Sequence, residues 1–243
     1  MLKVKPFIFN WKNQYNKAKE KELILSSLGY SVSVINSDET IQENSWINLG
    51  EEAYFNKQFL SALNMFIESD DDILFHIQAD ASYNNWDKLI KDALTYYEKY
   101  FWGIYAPNID YTWYTSDKTD INILSLPDEK FLRVVASPDC TCWFIHRDIL
   151  TKFLQLNINM SKYKFGWGWD IILPAISYMM NKPVLRDYAH TVEHPQGTSY
   201  NKVSAELEMI HLFNHLPDNL RFLFYLIKQD REKLCQFYNT VRL

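Results

Sequence analysis

Apolar residues in the first hundred positions fall into two alternating textures, short unbroken runs and longer stretches in which they recur every three or four residues. The runs are Phe7-Ile8-Phe9, Val32-Ser33-Val34-Ile35 and Ile73-Leu74-Phe75-His76-Ile77, each followed by polar, turn-forming residues. Runs of this length read as buried strands. The third has no polar alternation, as expected of a central parallel strand covered by helices on both faces. Between the runs lie predicted helices: a Lys-, Glu- and Leu-rich stretch capped at its C-terminus by Gly29, and residues 51–69, where Phe55, Phe59, Ala62, Leu63 and Phe66 share one face. A third helix carries Trp86, Leu89, Ile90, Ala93, Leu94 and Tyr97, with Asn84 or Asn85 as its N-cap. Strand and helix thus alternate three times, which builds a doubly wound sheet whose ligands sit beyond the carboxyl ends of the strands. Asn10, Asp38 and Asp80 would converge there.

The second half is less regular. Strands are predicted at 102–106, 131–136 and 141–146, with mixed directions, and a helix at 147–156. The Gly/Trp-rich segment Phe165-Gly166-Trp167-Gly168-Trp169-Asp170 leads into an apolar helix over 171–180, and Pro183-Val184-Leu185 begins a last strand. Residues from Lys202 onward carry helical periodicity. The expected organisation is one α/β domain over residues 1–200 and a C-terminal helical extension over 201–243 packed on it.

Composition narrows the function classes. The 243-residue chain has a formal charge of -5 and no long basic run that could follow a phosphate backbone, so no nucleic-acid partner is expected. No stretch approaches the roughly 20 apolar residues of a membrane span, and the apolar N-terminal run is too short for a signal peptide. The expectation is a cytoplasmic protein, with peripheral association at the inner face of a membrane left open. Three cysteines, Cys140, Cys142 and Cys235, make an odd and sparse set that suggests reduced thiols. Cys140-Thr141-Cys142 lacks the second pair that a zinc site of this type needs and reads as strand. Aromatic residues reach 16% and suit both a core and a carbohydrate-facing surface.

Three stretches resemble the GT-A-fold glycosyltransferases, in particular the group typified by family 2 and the Trp-Gly-rich galactosyltransferases. Ala62-Leu63-Asn64, an interval ending in Asp70-Asp71-Asp72, apolar Ile73 to Ile77 and then Gln78-Ala79-Asp80 resemble the helix, strand and Asp-x-Asp element of that family. Gly166-Trp167-Gly168-Trp169-Asp170 is similar to its acceptor-side motif. His190-Thr191-Val192-Glu193-His194-Pro195-Gln196-Gly197-Thr198 stands where these enzymes place a histidine ligand and a donor-covering loop. The resemblance implies a Rossmann-like mixed central sheet flanked by helices and covers about residues 5–200, an extent judged from the strand-helix order. It implies transfer of a sugar from a nucleotide-diphosphate donor, UDP favoured, to a saccharide or glycolipid acceptor in polysaccharide biosynthesis, with inversion favoured.

Such a donor carries negative charge beside the bond that breaks, and Mn²⁺ or Mg²⁺ held by hard oxygen ligands neutralises it. The resemblance makes Asp80 the metal ligand, with imidazole from His190, or from His194 as the alternative. Gln78 replaces the first Asp of the pattern, and its amide can still hydrogen-bond a ribose hydroxyl. Phe9, Asn10, Trp11, Asp38, Asn64, Gln78, Ala79 and Asp80 make up the expected nucleotide-sugar site; Trp167, Gly168, Trp169 and Asp139 the expected acceptor side. Asp170 is the expected general base, desolvated between indoles. Each has a plainer reading: Asp80 as a turn cap, Asp170 as an acid at a helix N-terminus, Asn10 and Asp38 as loop residues. Two further function classes stay open, a non-catalytic nucleotide-sugar or glycan binder and a nucleotidyltransferase, although residues 10–16 lack the glycines of a phosphate loop.

Overall fold

The computed structural model describes residues 2–50, 53–121, 126, 129–195, 200–229, 232–234 and 236. In chain order the elements are β1 (Val4–Asn10), α1 (Tyr15–Ser27), β2 (Ser33–Asn36), β3 (Ile47–Asn48), α2 (Phe55–Glu68), β4 (Ile73–Gln78), α3 (Trp86–Tyr100) and β5 (Ile104–Ile109). They continue with α4 (Ser116–Thr119), β6 (Leu132–Val134), β7 (Cys142–His146), α5 (Arg147–Gln155), α6 (Trp169–Met179), β8 (Val184–Val192), α7 (Lys202–Asn214) and α8 (Asp218–Gln229).

The eight strands form one sheet in the order β3-β2-β1-β4-β7-β5-β8-β6. β1 pairs in parallel with β2 and β4, and β5 in parallel with β8, whereas β7 runs antiparallel to both β4 and β5. β4, expected as a central parallel strand, is parallel on the β1 side and antiparallel on the β7 side. The run from Ile73 lacks alternation because both its faces are covered, not because both neighbours are parallel.

Side-chain parity shows the two layers. On one face Phe9, His76, Phe59, Trp143 and Trp169 pack together, with Phe59 of α2 4.6 Å from the Trp169 ring of α6. On the other, Phe75 stacks on Phe144 at 3.9 Å and meets Trp86 of α3. Both layers belong to one buried core that also takes in Met209, Leu212, Leu220, Leu223 and Phe224 from the C-terminal helices. Among the described residues no helix is long and apolar enough to cross a membrane.

This topology sets the position of the site. The strands β1, β2, β4, β5 and β8 all point their carboxyl ends to one edge, and the antiparallel β7 begins at that edge. The segments after β1, β2, β4, β5 and β8 and the turn before β7 therefore meet there.

Candidate active site

Asp80 follows β4 by two residues and lies half-buried. Its Oδ1 is buried without a hydrogen-bond partner, and His194 Nε2 stands 3.6 Å from that oxygen. Burial pushes the Asp80 carboxyl up, a shift that His194 partly opposes. Two features hold the pair. Ser82 and Glu193 exchange backbone hydrogen bonds at 2.8 and 2.9 Å, joining the turn after β4 to the end of β8. Lys21 of α1, buried beneath the turn, donates to the Ala79 carbonyl at 2.8 Å. Its own burial lowers the Lys21 ammonium to about 8.

The imidazole preferred from the sequence, His190, lies elsewhere. Its Nδ1 meets the Tyr83 hydroxyl at 2.6 Å and its Nε2 the Asp92 carboxylate at 2.8 Å, so neither nitrogen is open to an ion beside Asp80. The residue that faces Asp80 is His194, because β8 is a nine-residue strand and carries His190 within it, still under α3. Asp92, Asp187 and His190 do place three ligating atoms within 4.8 Å of one another, a set that could itself hold a divalent ion. Asp187 is fully buried and accepts from Tyr105 at 2.7 Å.

At the ends of β1 and β2, Asn10 and Asp38 join a buried amide cluster. Asn10 Nδ2 donates to Asn36 Oδ1 at 2.7 Å, and Asn36 in turn donates to the Asp38 carbonyl and to Asn48 Oδ1, each at 2.8 Å. Gln58 of α2 donates to the carbonyls of Asn10 and Ile35. Among the described residues Asn10 Oδ1 is buried without a partner, like Asp80 Oδ1 in the turn after the neighbouring β4. Asp38 accepts from the Thr40 hydroxyl and N–H, which hold its carboxyl below the usual range. Trp11 is partly buried, Gln78 half-buried and Ala79 buried. Two members of the expected set fall outside the site. Phe9 is fully buried with its ring 4.1 Å from that of His76, and Asn64 is exposed on α2, which runs away from the carboxyl edge.

Asp170 opens α6. Its Oδ2 accepts a hydrogen bond from the Tyr114 hydroxyl and its Oδ1 one from the Gly168 N–H at 3.2 Å. Burial lifts this carboxyl to about 6. Pro174 cannot donate to the carbonyl four residues back, which is that of Asp170, and the Ser137 hydroxyl takes this carbonyl instead. Gly168 caps the helix with φ of 110°, in the left-handed region.

The tryptophans divide. Trp167 is half-buried and donates to the Tyr200 hydroxyl at 2.8 Å, but Trp169 is fully buried, donates to Asn56 Oδ1 at 2.8 Å and packs on Phe153. Trp169 is therefore core and has no face for an acceptor, its ring held against Asn56 and Phe59 of α2. Asp139 accepts from Thr112 and from the Thr141 N–H, in the turn that leads into β7. Cys140 lies in that turn and Cys142 begins β7; burial pushes both thiols up. Cys235, Gln196, Gly197 and Thr198 lie outside the described residues.

One segment that the sequence did not single out ties these groups together. After β5, Asp110 accepts from the His194 N–H at 2.8 Å, Thr112 donates to Asp139, and Tyr114 donates to Asp170. Five residues thus reach the histidine beside Asp80, the turn before β7 and the start of α6. The polar residues at every second position were a legible signal, masked by the absence of a strand there.

No protein-family model matches this chain, and no curated protein matches it by sequence. Its structure is similar to solved ones. GalNAc-T7, crystallised with UDP, GalNAc and Mn²⁺, superposes with a TM-score of 0.61 at 9% identity, over 98% of this chain and 55% of that one. The chain thus spans about half the length of that protein. Staphylococcus aureus TarS 1-349, in complex with UDP-GlcNAc, superposes with a TM-score of 0.54 at 11% identity, over 98% of this chain and 72% of that one. The fold is that of the GT-A glycosyltransferases, a mixed eight-stranded sheet between helices.

Proposed function

We propose that the protein is a glycosyltransferase that moves a sugar from a nucleoside diphosphate sugar, with UDP favoured, to a saccharide or glycolipid acceptor with inversion. The observation that carries this reading is the orphaned, buried Oδ1 of Asp80, opposed by His194 at the carboxyl edge of a GT-A sheet. A buried carboxylate oxygen without a hydrogen-bond partner calls for a ligand; the hard oxygen suits Mn²⁺ or Mg²⁺, and an imidazole nitrogen beside it favours Mn²⁺ of the two. Such an ion, when bound, offsets the charge that builds on the departing diphosphate.

The chain's own groups supply the rest. The unpartnered amide oxygen of Asn10 can accept from a nucleoside, at the end of the sheet where the Asn36–Asp38 cluster is rigid. Asp170, ionised near neutral pH, accepts the proton of the acceptor hydroxyl. Tyr114 and the Gly168 N–H fix the orientation of that carboxylate. A half-buried base of raised pKa is a better proton acceptor than an ordinary surface carboxylate.

The test is release of nucleoside diphosphate from a panel of nucleotide sugars, with Mn²⁺ and with chelator. Chelator-sensitive release is expected; a protein that binds and cleaves none of the donors would overturn the reading.

A further inference from the structure

We propose that Tyr111, Trp113 and Lys202 form an acceptor subsite for a sugar ring that carries an acidic group; this rests on the glycosyltransferase reading above. The argument starts from the segment after β5. Its residues 110, 112 and 114 are committed to the site through His194, Asp139 and Asp170. The residues between them turn the other way. Tyr111 is 40% exposed and Trp113 67% exposed, although both are large aromatics.

Each exposed ring is therefore one residue from a group that touches the site. Trp113 precedes Tyr114, whose hydroxyl holds the carboxylate proposed as the base. Rings of this kind present an apolar face to the C–H side of a pyranose and keep a polar edge for water. A ring carried on a segment that is itself pinned through residues 110, 112 and 114 needs little ordering when a sugar arrives.

The acidic group follows from Lys202. This first residue of α7 places its ammonium 4.6 Å from the Trp113 ring centroid, and no acid stands in the first turn of that helix. An exposed cation–ring contact is weak, and a carboxylate or phosphate can recruit the ammonium without breaking a buried pair. A ring stacked on Trp113 would carry its acid beside Lys202, one residue along the chain from the Tyr114 that bonds Asp170.

The probes are methyl β-glucuronide and methyl β-glucoside, with UDP and Mn²⁺ as the donor-side control, read on the ¹H–¹⁵N indole resonances, with that of Trp113 assigned by its loss in Trp113→Ala. The glucuronide is expected to move the Trp113 indole and to bind about threefold or more tighter than the glucoside. Lys202→Gln should erase that preference, Trp113→Ala should abolish binding of both sugars, and neither variant should alter UDP binding. A Trp113 indole unmoved by the glucuronide, a preference that survives Lys202→Gln, or a Trp113 shift caused by UDP would overturn the subsite. If the glucuronide binds through Trp113 while UDP binds nowhere, the subsite stands and the transferase reading falls.

Discussion

The Nε2 of His194 lies 3.6 Å from the Oδ1 of Asp80, across a backbone bridge that joins the turn after β4 to the end of β8. Two chain segments more than a hundred residues apart thus present one oxygen and one nitrogen to a common point. Asp80→Asn keeps the shape and removes the charge. It is expected to weaken Mn²⁺-supported UDP binding by about 100-fold, since a first ligand should matter at least as much as the outer-shell groups whose loss costs about 10–100-fold. Calorimetric titration with UDP, with and without Mn²⁺, checks this; an unchanged Mn²⁺ dependence would remove Asp80 from the metal site.

The two histidines at the end of β8 should separate cleanly. His190 is fully enclosed and bonded at both nitrogens, so His190→Asn should cost about 2–3 kcal/mol of stability through the lost ring packing and the unpaired Tyr83 hydroxyl, Asp92 keeping its bond to Lys88. At a temperature where that variant is folded, its Mn²⁺-supported UDP binding should stay near the unaltered level. His194→Asn should do the reverse, with a small change in urea midpoint and a large loss of Mn²⁺ dependence. The opposite pattern would make the His190, Asp92 and Asp187 group the metal centre.

Asp170 links turnover to pH. Its carboxyl is lifted to about 6 by burial, so the fraction able to accept a proton, and with it kcat, should rise as pH increases through about 6 and then level off. Asp170→Asn should reduce kcat by about 10²–10⁴-fold and leave UDP binding intact. The same shift has a sign for stability. A carboxyl raised in the folded state favours folding below its unfolded pKa, and this contribution is lost as pH rises through about 6; the full shift is about 3 kcal/mol. The stability of Asp170→Asn relative to the unaltered protein should therefore increase between about pH 4 and pH 7. A flat difference in urea midpoints would show that the carboxyl titrates normally.

The regular half of the fold was legible because its chemistry is local. Phe55, Phe59, Ala62, Leu63 and Phe66 announce α2 by spacing alone, and Ile73 to Ile77 announce β4 by an unbroken run. That the second half mixes strand directions was legible, but not which neighbours β7 meets, since it is placed against β4 by pairing over some sixty-five residues. The site divides in the same way. Asp80 was legible as a carboxylate just beyond the end of a strand. His194 ranked below His190 because the length of β8 decides which imidazole reaches the edge, and that length depends on its pairing with β5, where the register shifts between Pro107 and Asn108. Asn56 and Gln58 look like the polar face of α2, yet both are buried, Asn56 bonding to the carbonyls of Met160 and Tyr163 and Gln58 to those of Asn10 and Ile35 in β1 and β2, which only the assembled layers reveal.

Gly166 shows what the glycines of the Gly/Trp segment are for. It has φ of 83°, and a Cβ there would lie 3.0 Å from the Asn56 backbone nitrogen and 3.1 Å from its Cα. Asn56 cannot retreat, because its side chain donates to the carbonyls of Met160 and Tyr163 and accepts from Trp169. Gly166→Ala thus combines a left-handed backbone with a contact against fixed main chain, and should cost about 2 kcal/mol or more. Gly29→Ala, where φ is 91° and nothing lies within 4 Å, carries the backbone cost alone and should lose about 1 kcal/mol. Urea denaturation of the two variants measures the difference, which is the part owed to the close approach of residue 166 to α2. Equal losses would mean that the segment holding Asp170 is free to move away from α2, and that Asn56 does not fix the position of Asp170.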